Sequence, residues 1–316
     1  MSALRIGTRA SPLALTQTEH VRRLLAGLET EIVRVRVSGD GNGDGDPTRA
    51  AAAQTGAATD KSRWVDTIED ALLAGEIDIA VHSAKDVPGE LAEGLELLGA
   101  PPRAAVEDVL CGAAGLDALK ANARIGTSSI RRAAQLRAAR EDLEVVAIAG
   151  NIDTRLRALA QGELDAIVLA RAGLQRLDRE EQIGAVLDPA RFVPAPGQGA
   201  LALQARRRDT RAREAVAAIL DEDASACLLA ERALASALDA DCHTPLGAHA
   251  KPAGCGCLQM RAWVGLPDGS AWVADELLGG FYDPASLGRR VAERMDLAGA
   301  GDLLRRAEEM AAGAGL

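Results

Sequence analysis

Arginine side chains stand near the predicted starts of two helices in the middle of the chain. The segment SSIRR places Arg131 and Arg132 in the first turn of a helix that Ser128 or Ser129 would cap, and GNIDTR places Arg155 early in another. Cations are disfavoured at a helix N-terminus unless an anion binds there, and guanidinium groups pair well with carboxylates and phosphates. The residues alone leave two interpretations open, a polyanionic ligand or ordinary solvated helix charge.

A polar loop follows the strand predicted at 77–81. Its sequence HSAKDVP contains the neighbours Lys85 and Asp86. Open α/β sheets bind ligands at the carboxyl ends of their strands, where Asp86 could act as an acid–base or charge-stabilising carboxylate. The alternative is that both residues are ordinary loop surface.

Cysteine and histidine residues gather between 242 and 257. Cys242 is followed by His243, His249, Cys255 and Cys257 within sixteen residues. Zinc is one interpretation, although C-x-C differs from the C-x₂₋₄-C spacing of structural zinc sites. A single reactive thiol at Cys242 is the other, and the spacing does not decide between them.

Short apolar runs alternate with amphipathic segments along the first two-thirds of the chain. This alternation favours an α/β architecture with buried parallel strands. Residues 38–60 are rich in Gly, Asp, Ala and Thr without a period, which predicts a mobile loop. Helices are predicted after Ser11, Ser129 and Gly150, and strands at 4–8, 33–37, 77–81, 145–148 and 167–169.

Two short sequences recur in the first two-thirds of the chain. RIGT occurs at 5–8 and 124–127, each time before a serine that opens a helix, and DIAV at 78–81 is echoed by DAIV at 165–168. The repeats predict two similar lobes, each directing a helix N-terminus toward a shared cleft.

Proline-rich joins at 100–102 and 193–197 mark the predicted hinges between these lobes. They divide the chain into a first lobe of residues 1–100 with 197–220 and a second of 101–196. Residues 221–316 would form a third domain of helix, short strands and helix.

Charge and composition narrow the class of protein. The 316 residues carry a net charge of −10, which argues against a general nucleic-acid binder. Residues 103–191 contain 13 basic and 13 acidic side chains, so this segment is neutral and repels an anionic ligand less than the rest of the chain does. With five cysteines, no apolar run long enough for a bilayer and no secretion signal, we expect a soluble cytoplasmic protein with reduced thiols.

Several blocks, in this order, resemble the porphobilinogen deaminase (hydroxymethylbilane synthase) family: 5–14 with Gln17, 82–88, 126–136, 150–156, 170–177, 196–200 and 242–247. The resemblance implies an α/β fold with two similar periplasmic-binding-protein-like lobes around a cleft and a smaller α+β C-terminal domain. It also implies a cytoplasmic, monomeric transferase of tetrapyrrole (porphyrin and heme) biosynthesis, with no membrane or nucleic-acid partner.

The resemblance further implies a dipyrromethane cofactor, held by a thioether at Cys242. Four porphobilinogen units are added in turn with loss of ammonia, and water releases the linear tetrapyrrole hydroxymethylbilane. Asp86 matches the catalytic aspartate, which would stabilise developing positive charge and help to move a proton. The residues matching cofactor-binding positions are Ser83, Lys85, Thr127, Ser128, Ser129, Arg131, Arg132, Gly150, Asn151 and Arg155. Those matching substrate-binding positions are Arg9, Ser11, Gln17, Lys61, Arg155, Arg176 and Gln198.

Two places depart from the family pattern. Ala149 stands where the family usually has an arginine that helps to bind pyrrole carboxylates, and the glycine-rich lid stretch corresponds only loosely to residues 59–64. We expect Arg63 to supply part of the missing positive charge. The alternatives are a diverged relative with slower or altered pyrrole condensation, and a two-lobed carboxylate-binding protein without catalysis. Asp86 together with Cys242 argues against the second.

Overall fold

The computed structural model describes residues 2–35, 57–241 and 243–313. The described residues form two compact units: unit 1 contains those up to Arg103 together with Ala200–Ser225, and unit 2 contains Ala104–Gly199 with Ala226–Gly313. The fold is mixed α/β, with one sheet-containing lobe in unit 1, another in unit 2, and a smaller C-terminal sheet domain that also lies in unit 2. The predicted fold class is therefore confirmed.

Strands and helices are interspersed along the described residues. Among these residues, none of the helices has the length and apolar character needed to cross a membrane. The strands are β1 Leu4–Thr8, β2 Thr30–Arg34, β3 Ile79–Ser83, β4 Leu95–Gly99, β5 Asp108–Cys111, β6 Arg124–Gly126, β7 Glu144–Val146, β8 Ala166–Ala170, β9 Ala185–Val186, β10 Leu201–Arg206, β11 Leu246–Pro252, β12 Cys257–Gly265 and β13 Trp272–Gly280. The helices are α1 Pro12–Leu24, α2 Ala57–Leu73, α3 Ile130–Ala139, α4 Ile152–Ala160, α5 Arg171–Arg176, α6 Thr210–Ala217, α7 Glu222–Ala237, α8 Pro284–Leu297 and α9 Ala300–Gly313.

The two lobes have sheets of the same design. The strand order is β2-β1-β3-β10-β4 in lobe 1 and β7-β6-β8-β5-β9 in lobe 2. In each sheet, the second strand (β1 or β6) pairs in parallel with both of its neighbours. The fourth strand (β10 or β5) is antiparallel to the third (β3 or β8). The similarity of the lobes, predicted from the repeats, is confirmed, while their shared cleft stays a prediction.

The sequence repeats have a structural cause in an arginine–aspartate pair at the start of each sheet. The Arg5 N–H donates to Asp78 Oδ2 (2.9 Å), and the Asp78 N–H donates back to the Arg5 carbonyl (2.9 Å). Arg124 and Asp165 repeat both bonds at 2.8 and 2.9 Å. Each arginine lies at the beginning of one strand and its aspartate directly precedes the adjacent parallel strand, so the repeated residues set strand register.

The C-terminal domain is an antiparallel sheet of β11, β12 and β13 with helices on one side. Its strands have seven or nine residues, so the prediction of short strands is wrong. Alternate residues of β11 and β12, such as Ala248, Ala250, Leu258 and Met260, are buried against the helices. This period-two pattern is typical of a sheet with one solvated face.

Some predicted boundaries are displaced. Helix α2 begins at Ala57, so the loop predicted for 38–60 is wrong over its last four residues, and the remainder lies outside the described residues. Strand β2 is Thr30–Arg34, so it begins three residues before the predicted strand 33–37; its pairing with β1 ends at Arg34, and residues 36–37 lie outside the described residues. Strand β3 is Ile79–Ser83 rather than 77–81, which places Ser83 at the carboxyl end of the sheet.

We expect Asp78→Ala to lower the free energy of unfolding by about 1–3 kcal/mol, because it removes the acceptor for both the main chain and the guanidinium of Arg5. Asp165→Ala should cost less, since Asp165 is more exposed. Urea denaturation followed by circular dichroism measures both. Glu19→Ala, which breaks an exposed helical pair with Arg22, is the control, and an equal loss there would contradict the role of the repeat.

Candidate active site

A cavity of about 90 Å³ in lobe 1 collects residues from three parts of its sequence. It lies beside the carboxyl end of β3, and Val65 and Ile68 of α2 give it an apolar wall. Five of the residues predicted for catalysis or binding line it: Arg9, Ser11, Gln17, Ser83 and Asp86. The sequence predictions for lobe 1 therefore converge on one place.

Local structure fixes the residues around this cavity. Ser11 is the N-cap of α1, where its hydroxyl accepts a hydrogen bond from the Ala14 N–H (3.3 Å). Gln17 Nε2 donates to Ser83 Oγ (2.8 Å), which joins α1 to the end of β3. Asp86 ends a single 3₁₀ turn directly after β3 and is half-buried, whereas Lys85 before it is exposed.

His82 is a residue of this cavity that the sequence analysis did not single out. Its Nε2 lies 3.0 Å from Gln204 Oε1, and Gln204 Nε2 donates to Glu69 Oε1 (2.6 Å). Burial lowers the pKa of His82 to about 4, against the weaker opposing effects of Gln204 and the Asp86 charge. The imidazole beside Asp86 is therefore neutral near pH 7, and its signal in the sequence was only its place in the HSAKDVP block.

In lobe 2, one carboxylate is held between two of the predicted cofactor-binding arginines. Asp108 Oδ2 lies 2.8 Å from Arg131 Nη2, and Asp108 Oδ1 lies 2.7 Å from Arg132 Nη2. The first contact is a close ion pair without hydrogen-bond alignment, whereas Arg132 Nε donates an aligned bond to Oδ1 (2.9 Å). All three side chains are buried, so the interpretation of Arg131 and Arg132 as solvated helix charge is wrong.

The cluster is electrostatically unbalanced. Burial alone would raise the pKa of Asp108, but its attraction to Arg131 and Arg132 outweighs this and lowers the pKa to about 2. The carboxylate is therefore ionised, and two guanidinium groups share one negative charge. Arg131 Nε is buried and has no hydrogen-bond partner among the described residues. Such a group favours an additional anion or acceptor.

Two further predicted arginines have no acidic partner among the described residues. In the part of the chain that the structure describes, the side chain of Arg155 bonds to the Gly150 carbonyl (2.9 Å) and that of Arg176 to the Gly199 carbonyl (2.7 Å), and neither pairs with a carboxylate. Burial lowers the pKa of Arg176 to about 10, and burial followed by the nearby Arg132 charge lowers the pKa of Arg155. Both are cations in surroundings that disfavour an isolated positive charge.

The small polar residues of lobe 2 build the starts of α3 and α4. Ser129 caps α3, Asn151 caps α4, and Thr127 Oγ1 accepts from the Ser129 N–H (3.2 Å). Gly150 has a φ of +98°, a conformation that favours glycine. The predicted residues therefore leave two helix N-termini next to the arginines. Ala149, directly before Gly150, is exposed.

The segment 193–198 joins this cluster to the C-terminal domain. Gln198 Nε2 donates to Asp108 Oδ1 (2.9 Å) at one end of the segment, and the Val193 carbonyl accepts from Arg131 Nη1 (2.7 Å) at the other. Glu231 of α7, fully buried, accepts hydrogen bonds from Gly197 N–H and Ala250 N–H, both at 2.7 Å. Asp108 and Glu231 were missed by sequence reasoning, because each stands next to another charged residue, Glu107 or Arg232, and such charged pairs are typical of an ordinary protein surface.

The third predicted cluster does not form one site. His243 precedes β11, whereas Cys255 and Cys257 lie at its far end, and a seven-residue strand spans about 23 Å. Over the described residues, no three side chains of the His, Cys, Asp or Glu types are gathered in a way that could hold a metal ion. Cys242 lies outside the described residues.

The predicted lid stretch is described only by its backbone. Residues 59–64 are helical, within α2, and the side chains of Lys61 and Arg63 lie outside the described residues. The substrate-binding role of Lys61 and the compensation by Arg63 for Ala149 therefore stay predictions.

Both lobes place polar residues after the carboxyl ends of parallel strands, where α/β folds bind their ligands. Among solved structures, a periplasmic substrate-binding protein of an ABC transporter from Coxiella burnetii is 17% identical. The match covers 68% of this chain and 91% of that chain, with a TM-score of 0.41.

Family models and curated relatives agree over nearly the whole chain. The model described as porphobilinogen deaminase, dipyromethane cofactor binding domain, matches residues 4–214, and the one described as porphobilinogen deaminase, C-terminal domain, matches 225–296. A porphobilinogen deaminase from Deinococcus radiodurans is 43% identical over 98% of this chain and 100% of its own. One from Xanthomonas euvesicatoria is 44% identical over 96% and 99%. The chain belongs to the porphobilinogen deaminase family.

We expect Asp108→Asn to lower the free energy of unfolding by about 3–5 kcal/mol, because two buried guanidinium groups lose their shared counter-charge. Because the folded pKa of Asp108 is about 2 and its ordinary value 3.8, its contribution is present above pH 4 and lost as pH falls toward 2. Urea denaturation between pH 2 and 7 measures both effects. Asp142→Asn, at a half-buried pair with Arg140, is the control. An Asp108→Asn variant that loses stability at low pH as the wild type does would contradict the assignment.

Proposed function

We propose that this chain is a porphobilinogen deaminase, a transferase that condenses four porphobilinogen units into hydroxymethylbilane with loss of ammonia. The observation that carries the proposal is the charge imbalance in lobe 2. Arg131, Arg132 and Arg155 lie together there with Asp108 as their one described carboxylate partner. Pyrroles with acetate and propionate side chains supply the anions that this cluster lacks.

The residues of lobe 2 fit a dipyrromethane cofactor attached to Cys242. The unpartnered Nε of Arg131 and the cation of Arg155 would hold its carboxylates, and the N-termini of α3 and α4 add backbone N–H groups. When bound, this group supplies the pyrrole carbon onto which the chain is built. The small polar residues at the starts of α3 and α4 would complete its binding, and Ser83 and Lys85 stay predicted cofactor-binding residues.

Asp86 is the proposed catalytic residue in lobe 1. Its carboxylate would accept hydrogen bonds from pyrrole N–H groups, stabilise the positive charge that develops on them and help to move the released proton. Because His82 is neutral near pH 7, it adds no competing positive charge beside Asp86. Arg9, Ser11 and Gln17 line the same cavity and would orient the incoming porphobilinogen. Arg176 and Gln198 stay predicted substrate-binding residues.

The proposal extends to organisation and location. We place lobe 1 at 1–100 with 197–220, lobe 2 at 101–196 and the C-terminal domain at 221–316, which the contact boundaries after Arg103 and Gly199 support. A monomer suffices, because one chain carries every residue named above. Among the described residues, Cys111, Cys255 and Cys257 are free thiols, which supports a reducing, cytoplasmic location.

Loss of Cys242 should remove the cofactor while the fold is retained. We expect Cys242→Ser to lack the covalent two-pyrrole adduct in an intact mass spectrum, because serine does not provide the thioether sulfur. Cys227→Ser, Cys255→Ser and Cys257→Ser are the controls and should keep the adduct. An adduct on a peptide without Cys242 would contradict the attachment site.

Loss of the Asp86 charge should reduce turnover without abolishing binding. We expect Asp86→Asn to lower the rate of elongation about 10²–10³-fold, the usual effect of removing one preorganised electrostatic group. Single-turnover kinetics with porphobilinogen measures this, with the adduct confirmed by mass. Glu90→Gln changes an exposed carboxylate in the same loop and is the control. Near-normal elongation in Asp86→Asn would leave this residue as loop surface.

A further inference from the structure

The turn between β11 and β12 carries two cysteines that the proposed function does not use. Cys255 is exposed and Cys257 half-buried, and both are free thiols, whereas Cys111 and Cys227 are buried. Among the described cysteines, reagents in solution therefore reach this pair first. The seven-residue strand β11 lies between the pair and His243.

The backbone of this turn is left-handed at three successive residues. The φ angles of Gly254, Cys255 and Gly256 are +76°, +51° and +67°. The Cys257 N–H donates to the Gly254 carbonyl and the Ala253 N–H donates to the Cys257 carbonyl, both at 3.0 Å, which closes a three-residue hairpin loop of Gly254, Cys255 and Gly256. A positive φ favours Gly, Asn or Asp, so turn formation does not account for a cysteine at 255.

The turn brings the two cysteines within bridging distance. A left-handed residue between them mirrors helical geometry, in which Cα atoms two residues apart are about 5.4 Å apart. Disulfides span Cα distances of roughly 4.4–6.8 Å, most often near 5.5–6 Å, whereas an extended segment would place the two Cα atoms about 6.4–6.8 Å apart, at the upper limit of this range. Cys257 Sγ also lies 3.8 Å from the Cys255 carbonyl oxygen, so this thiol points back along the turn.

We infer that Cys255 and Cys257 form a redox-active dithiol, a modification site that closes reversibly to a disulfide with low-molecular-weight disulfides as oxidant. The Cys255 thiolate attacks one sulfur of the oxidant, forms a mixed disulfide and releases one thiol. The Cys257 thiolate then attacks the Cys255 sulfur, breaks the mixed disulfide and releases the second thiol. Two electrons pass from the pair to the oxidant, and the two thiol protons end on the released thiols.

The site is suited to reversible oxidation rather than to a structural bridge. Its small ring encloses one residue in an exposed turn, and strained or exposed disulfides are the readily reduced ones. Around Gly254 and Gly256, a Cβ would meet nothing within 4 Å, so the turn has open space in which the sulfur atoms can adjust.

Oxidised glutathione added to the intact holoprotein tests this inference. After alkylation of free thiols and proteolysis, we expect the peptide with Cys255 and Cys257 to be two hydrogens lighter and unalkylated, and dithiothreitol to reverse this. Cys255→Ser and Cys257→Ser should instead each keep one bound glutathione. Cys111 and Cys227 should be alkylated only after denaturation.

Three outcomes would overturn the inference. One is a wild-type peptide with glutathione on either cysteine and no internal disulfide under conditions that modify both single variants. Another is a disulfide that joins two copies of the chain. The third is full alkylation of both cysteines in the presence of the oxidant. A Gly256→Pro variant is a further check, because a negative φ at 256 should suppress closure while both thiols stay reactive.

Discussion

One buried carboxylate, Asp108, holds two buried guanidinium groups in lobe 2. Because Asp108 begins β5 while Arg131 and Arg132 begin α3, the ion pairs fix the helix start against the sheet. Arg132 Nη1 also donates to the Val168 carbonyl of β8, although at 3.3 Å this bond is longer. Removing water from three charges is costly, and the ion pairs offset that cost only in this arrangement. The excess positive charge is what suits the cluster to an anionic ligand.

The same cluster determines how the C-terminal domain is attached within unit 2. Arg131 and Gln198 fix the ends of the 193–198 segment, and Glu231 and the Ala248 N–H hold its middle, through Gly197 and the Pro194 carbonyl. The domain that contains Cys242 therefore takes its position in unit 2 from groups that also orient the arginines. Trp263 of β12 adds apolar contact with Val193.

The features that could be predicted from the sequence are those that a few neighbouring residues determine. The two lobes followed from the repeats because each copy encodes an arginine–aspartate pair at a strand start, and the cap of α1 followed from Ser11 with its proline. The burial of Arg132 did not follow, because its partner Asp108 lies 24 residues away and reaches it only through the pairing of β5 with β8. The predicted strand limits were displaced for a similar reason. A strand ends where its hydrogen bonds to neighbouring strands end, even if the apolar pattern of the sequence continues.

The position of β10 has a consequence for synthesis on the ribosome. This strand lies between β3 and β4 in the sheet of lobe 1, yet it follows the whole of lobe 2 in the sequence. All five strands of the lobe 2 sheet leave the ribosome earlier, so that sheet can pair while lobe 1 still has an open edge at β3 and an unpaired β4. Open edges are where nascent chains associate wrongly. The N-terminal lobe, although made first, is thus completed second and needs protection for longer.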